Sequence, residues 1–168
     1  LIFSLFLQAY DENDLTILKK TKKCENCDLT NANLSKLDLS NAELSGSNLS
    51  LANLSNTNFF KADLSYSSLV KSKIYIANLD FANLEGANLT EARLNGASLR
   101  GANLIDATLI STVLSKSKLD EIILDGANLK YTKFRGADLQ KAKLNGSILS
   151  FTDFSAADLT EAEMISLD

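Results

Sequence analysis

The chain has 168 residues, a formal net charge of −4 at pH 7, and 45% hydrophobic and 23% charged residues. That is enough apolar material for one domain with a filled core, and the charge has the wrong sign for a general nucleic-acid binder. His, Trp and Pro are absent and Cys occurs twice, which excludes a Ser-His-Asp triad, a Cys-His dyad, any His-ligated zinc site and a four-thiolate zinc site within one chain.

Residues 1–10, LIFSLFLQAY, form an apolar run that begins with Leu. The run fits the tail of a secretory signal peptide, with Ala9 as the small residue before a cleavage site. It equally fits an apolar helix or strand packed on the end of the domain. It is about half the ~20 residues a membrane-spanning helix needs, so no membrane span is expected. Residues 11–23, DENDLTILKKTKK, predict a short helix, and the segment 11–26 reads as an N-terminal cap. Asn13 or Asp14 is the expected N-cap, acids precede the first turn, and four Lys lie toward the end, as the helix dipole favours. Leu15 and Leu18 make a one-sided apolar face. Cys24 and Cys27 follow as the C-x-x-C in CENCDL. A thioredoxin-like role needs this motif at a helix start in a βαβ setting, which is not present.

From Leu29 to Met164 a large apolar residue recurs every fifth position, 28 times without a slip: 23 Leu, three Phe, one Ile and one Met. Two residues earlier, from Cys27 to Ala162, the same 28 places hold 16 Ala, five Ser and four Thr, with Cys27, Leu37 and Ile122 as exceptions. The residue between these registers is Asn or Asp in 15 of 28 places, and all seven Gly lie two residues after the large apolar one. The consensus is A-(N/D)-L-x-x. Five residues advance about 500° on an α-helix, so the leucines cannot form a stripe. On a flat strand an odd period alternates them between faces. They share one interior only if the chain bends between units and winds around a common axis, as a solenoid of very short extended segments joined by turns. Gly at one phase marks a turn position with demanding backbone angles. The missing Pro fits a backbone whose N–H groups are needed for bonds between coils, and the Asn/Asp position suits side-chain ladders.

The repeat over residues 27–166 resembles the pentapeptide repeat proteins. The resemblance implies an all-β fold: a right-handed quadrilateral β-helix, with four units per coil, over 27–168. About seven coils at the strand spacing make a rod roughly 34 Å long. CENCDL, between a short helix and the first repeat, resembles the secreted pentapeptide repeat proteins of cyanobacteria and the thylakoid lumen. That likeness implies a disulfide between Cys24 and Cys27 and a location in the periplasm or thylakoid lumen. A cytoplasmic protein with two reduced thiols is the alternative.

No phosphate-cradling glycine motif is present, and a convex rod with a filled core has no cleft in which to shift a carboxylate pKa, so neither enzymatic activity nor a cofactor is expected. Columns twenty residues apart supply the candidate surfaces. One reads Asn33, Asn53, Lys73, Arg93, Val113, Lys133, Asp153, with Lys116 and Arg135 on the same side, a basic stripe. The opposite side carries Glu43, Asp63, Glu85, Asp106, Asp125 and Glu163. Phe60, Tyr75, Ile76 and Phe81 occupy outward phases of neighbouring units and form a candidate apolar docking patch. Ile122, Ile123 and Val113 break the consensus in the fifth coil and predict a local bulge. The expected function is a non-enzymatic structural or protein-interaction module, a monomer that presents faces to a protein partner and binds no nucleic acid. The alternative, implied by resemblance alone, is a DNA-mimicking binder of type II topoisomerase that gives quinolone resistance. It needs a strongly negative face, whereas residues 27–166 carry 16 acids against 13 bases.

Overall fold

The computed structural model describes residues 10–166. The helix α1 spans Glu12–Thr21. Its N-cap is Asp11, not Asn13 or Asp14: the Asp11 carboxylate accepts from the Asn13 N–H at 2.7 Å and the Asp14 N–H at 3.4 Å. Asp11 is the residue in extended backbone directly before the helix, the only place from which a side-chain oxygen reaches those two amides. Asp14 instead turns toward the first repeat and accepts from the Asp28 N–H at 2.7 Å. Leu18 is fully buried and Leu15 half-buried against the core, so α1 covers the first coil as its apolar face predicts. Residues 1–9, and with them the signal-peptide reading, lie outside the described residues. Tyr10, the last of the apolar run, packs on the core.

From Lys23 onward the chain winds as a solenoid. Every bridge is parallel and joins residue i to i+20, from Lys23↔Glu43 to Lys143↔Glu163. A twenty-residue turn of five-residue units makes four units per coil and a four-sided rod. Positions within a unit are numbered 1 (small), 2 (Asn/Asp), 3 (Leu), 4 and 5. Positions 1 and 3 point inward and are buried along almost the whole rod, from Leu29 and Ala32 to Ala142 and Leu144. The Ser and Thr at position 1 are buried without loss, because their hydroxyls donate to backbone carbonyls: Thr112 to Leu89 O at 2.7 Å, Ser117 to Leu94 O at 2.8 Å, Thr132 to Leu109 O at 2.6 Å. Among the described residues no buried side-chain polar atom lacks a partner.

The unit around Leu84 shows why the consensus takes its form. Asn83 N–H bonds to Ala62 O in the coil before, while Leu84 and Gly86 N–H bond to Asn103 O and Ile105 O in the coil after. Ala87 N–H closes a turn on Leu84 O. The fifth amide, that of Glu85, bonds to the Asn83 side chain at 3.3 Å. All five N–H groups of such a unit are thereby used, which leaves it no position for Pro. Asn or Asp at position 2 serves twice, locally for that fifth amide and between coils, as in Asn78→Asn58 at 3.1 Å, Asn83→Asp63 at 3.2 Å and Asn103→Asn83 at 3.1 Å.

Position 5 adopts left-handed backbone in every unit, with φ between 54° and 70°. Glycine fits there at no steric cost, yet Tyr66, Ile76, Phe81, Tyr131 and Phe151 sit there too. Some of the glycines have a second role. A Cβ on Gly86 would lie 2.6 Å from two ring carbons of Tyr66, and one on Gly101 would lie 2.8 and 2.9 Å from ring carbons of Phe81. Each ring rests on the bare backbone of the glycine one coil further on.

The expected bulge in the fifth coil is absent. Bridges run unbroken through Arg93↔Val113↔Lys133 and Asn103↔Ile123↔Lys143, and Ile122 is 1% exposed. Val113 and Ile123 face outward, where β-branched residues suit extended backbone, and the interior accommodates the larger Ile122. In the last described coil Leu149, Phe154, Leu159 and Met164 are only half-buried, since no described residue covers them.

Candidate interaction surfaces

Sorting outward residues by side separates the charges sharply. The second side, built on units 32–36, 52–56 and onward in steps of twenty, carries Lys36, Lys73, Arg93, Lys116, Lys133 and Arg135 against one acid, Asp153, a net of +5. The fourth side, directly across the leucine core and counted from Lys23, carries Glu25, Glu43, Asp63, Glu85, Asp106, Asp125 and Glu163 against two bases, Lys23 and Lys143, a net of −5. The third side is also acidic, with seven acids to four bases. Lys73, Arg93 and Lys133 belong to one bridge column and Arg135 lies two residues from Lys133 on the same side; all four side chains are exposed.

Among the described residues the ion pairs are Lys22–Asp38, Lys23–Glu43, Lys71–Glu91 and Arg100–Asp120. None involves a cation of the second side. Arg93 Nη1 donates to the Tyr75 hydroxyl at 3.4 Å, which keeps both groups on the surface of this side. The Asp153 carboxyl is held below its ordinary pKa, first by the Ser155 hydroxyl and backbone N–H and then by attraction to Arg135 and Lys133. On the fourth side the Tyr66 hydroxyl donates to Glu85 Oε1 at 3.0 Å, and the negative neighbour raises the phenol pKa.

Of the four candidate patch residues, Phe60 and Phe81 meet edge to face on the third side, ring centroids 5.8 Å apart, with Lys61 Nζ 5.4 Å from the Phe60 ring. Tyr75 lies on the second side with Arg93, and Ile76 stands at the corner between the two, 67% exposed. The structure adds an aromatic pair that the sequence does not single out. Tyr131 and Phe151 stack face to face, centroids 5.1 Å apart, at the corner that leads into the second side. They are 49% and 77% exposed. Their spacing of twenty is the signal that places them in one column.

Cys24 and Cys27 are joined in a disulfide. They also form, with Asp14, the one described cluster close enough to hold a metal ion, but both sulfurs are already bonded to each other. The surface groove lined by Glu121, Ile123, Lys141, Lys143, Glu161 and Glu163 is partly open and mixed in charge. Among the described residues no helix is long and apolar enough to cross a membrane.

The family model for pentapeptide repeats matches eight copies, over residues 23–46, 38–73, 77–115, 107–146 and 137–168. The chain belongs to the pentapeptide repeat family. Pentapeptide repeat proteins fold as right-handed quadrilateral β-helices and are generally non-enzymatic structural modules. Three solved members are similar to this pentapeptide repeat chain. A pentapeptide repeat protein from the Arabidopsis thaliana thylakoid lumen is 24% identical over 51% of this chain and 59% of its own, with a TM-score of 0.49. The chain thus spans 59% of that protein's length. QnrB1, a plasmid-mediated fluoroquinolone resistance protein, is 21% identical over 84% of this chain and 79% of its own, with a TM-score of 0.52, a likeness of fold alone. HetL, involved in heterocyst differentiation regulation in Nostoc sp. strain PCC 7120, is 26% identical over 84% of each chain, with a TM-score of 0.28. A comparison with curated proteins finds no match.

Proposed function

We propose that this pentapeptide repeat protein is a non-enzymatic rod of about seven coils, roughly 34 Å long at the strand spacing, that presents its sides to a protein partner in an oxidising compartment, the periplasm or thylakoid lumen. The observation that carries the reading is the division of labour within each unit. Among the described residues, positions 1 and 3 fill the interior with apolar and hydrogen-bonded groups, and the remaining chemical variety stands on the sides. Such a body recognises by surface. The disulfide next to α1 supports export, since such bonds persist where thiols are not kept reduced.

The test is capture of partners by the intact chain from its native source, combined with its intact mass before and after reduction. A stable protein partner and thiols that become alkylatable only after reduction support the reading. The absence of any partner removes the interaction role, and free thiols remove the oxidising compartment. The topoisomerase-binding reading draws on the acidic fourth side, with its net of −5. The basic second side of the same rod weighs against a DNA-like body, and failure to inhibit supercoiling by purified gyrase at micromolar protein eliminates it.

A further inference from the structure

The second side combines three features. Its six cations face one acid, and none is engaged in an ion pair among the described residues. Asp153, beside Lys133 and Arg135, is the one acid on this side, and seven of the chain's other acids stand on the opposite side of an apolar core. Apolar groups border the strip: stacked Tyr131 and Phe151 at one corner and Ile76 at the other. All three occupy left-handed backbone, φ 58°, 59° and 56°, where a bulky side chain is disfavoured and a β-branched one especially so. About half or more exposed, they recover little of that cost by burial within the rod. Arg and Tyr beside exposed apolar groups are the composition of interface centres.

We infer that the second side docks an acidic polypeptide segment of a partner protein, with Arg93, Lys133 and Arg135 meeting its carboxylates and the Tyr131–Phe151 pair meeting an apolar residue beside them. This inference rests on the interaction-module reading and names the surface and the partner's chemistry. Charge selects the occupant. A DNA duplex carries about one negative charge per 1.7 Å of axis, far more than six cations spread along the rod can match. A body broader than one side also meets the acidic third side, including Asp80, Asp120 and Asp138. A single extended acidic segment avoids both conflicts.

The experiment uses the whole chain and three probes followed by fluorescence anisotropy: a labelled peptide in which Glu alternates with Leu and Ser, the same peptide with Gln for Glu, and a short DNA duplex. The acidic peptide is expected to bind, more weakly as salt rises, and the Gln peptide to bind at least about tenfold more weakly. Arg93→Glu with Lys133→Glu should cost a further factor of about ten or more, and Tyr131→Ala with Phe151→Ala should weaken binding without changing its salt dependence. Glu85→Lys with Asp125→Lys, on the opposite side, should leave it intact or strengthen it. Circular dichroism checks that each variant folds. Equal binding of the Glu and Gln peptides, tighter binding of the duplex, or indifference to the Arg93/Lys133 reversal overturns the inference. Salt-sensitive self-association that the reversal abolishes also overturns it, since the occupant is then a second copy. Cross-links from a captured partner that map to another side leave the interaction-module reading standing and this inference refuted.

Discussion

Replacing Gly101 by Ala separates two roles that glycine plays at position 5. The backbone role is shared with Gly96, since φ is +58° at Gly101 and +68° at Gly96. The seat for a ring is not shared. A Cβ at Gly101 meets Phe81 at 2.8 and 2.9 Å, whereas at Gly96 the nearest atom is Ile76 Cγ1 at 3.8 Å, an ordinary contact. An L-residue in left-handed backbone costs roughly 1–2 kcal/mol, and the stiffer unfolded chain of Ala returns about 0.4–1 kcal/mol. Gly96→Ala should therefore destabilise by about 1 kcal/mol. At Gly101 the Phe81 ring must also swing off its seat. Exposing on the order of 40 Å² of apolar surface at ~25 cal/mol/Å² adds about 1 kcal/mol, for about 2 kcal/mol in all. For a chain of this size that corresponds to a Tm lower by about 4–8 °C, against about 2–4 °C for Gly96→Ala. Thermal and urea unfolding followed by far-UV circular dichroism measure both. In a Phe81→Ala background the excess at Gly101 should vanish, a coupling of about 1 kcal/mol. Equal costs at Gly96 and Gly101, or an unchanged cost without the Phe81 ring, refute the reasoning.

Ala97 and Leu99 are both 0% exposed at mid-rod. Ala97→Leu should cost about 1–3 kcal/mol by overpacking, and Leu99→Asp, which buries an unpaired charge, should abolish the cooperative unfolding transition; a neutral Ala97→Leu in the same melts shows that position 1 is not the tight inner position. The pH dependence should be one-sided. Asp38 is held low by the Lys22 ammonium and Ser40, Asp153 by Ser155, and Asp158 by Thr160. Their folded pKa values lie below the unfolded one, so the stability they add is complete above about pH 4 and is lost as pH falls through the folded values. With no His to titrate, Tm should stay level between pH 5 and 8 and decline modestly under acid. A step in Tm near pH 6–7 contradicts this.

Most of the architecture could be read from the register. Twenty-eight positions in unbroken register from Leu29 to Met164 identify the inward residues, and the structure buries them as far as Leu144. The glycine phase announced the turn, and the column from Asn33 to Asp153 is the bridge column observed. Three local outcomes were not legible. The cap is Asp11 because the helix starts at Glu12 and takes in Asn13 and Asp14, and Asp14 instead accepts from the Asp28 amide, fourteen residues away in sequence. The fifth coil stayed regular because coil-to-coil bonds on both sides hold its backbone whatever side chain it carries. The Tyr131–Phe151 stack does not stand out in the sequence because neither residue departs from what an outward position permits; only their alignment in one column makes them a pair.

The sequence by itself determined the winding of the chain, its inner and outer residues and the columns of its sides. Those come from one period and from the need to hide leucine and pair every amide. The tertiary structure decided what the outer residues do: which cations form no ion pair, which rings rest on a glycine one coil away and which lie stacked in the open. Period carries the first kind of information because burial is the same in every unit. The second depends on distances between coils and on side-chain direction, which no single unit contains.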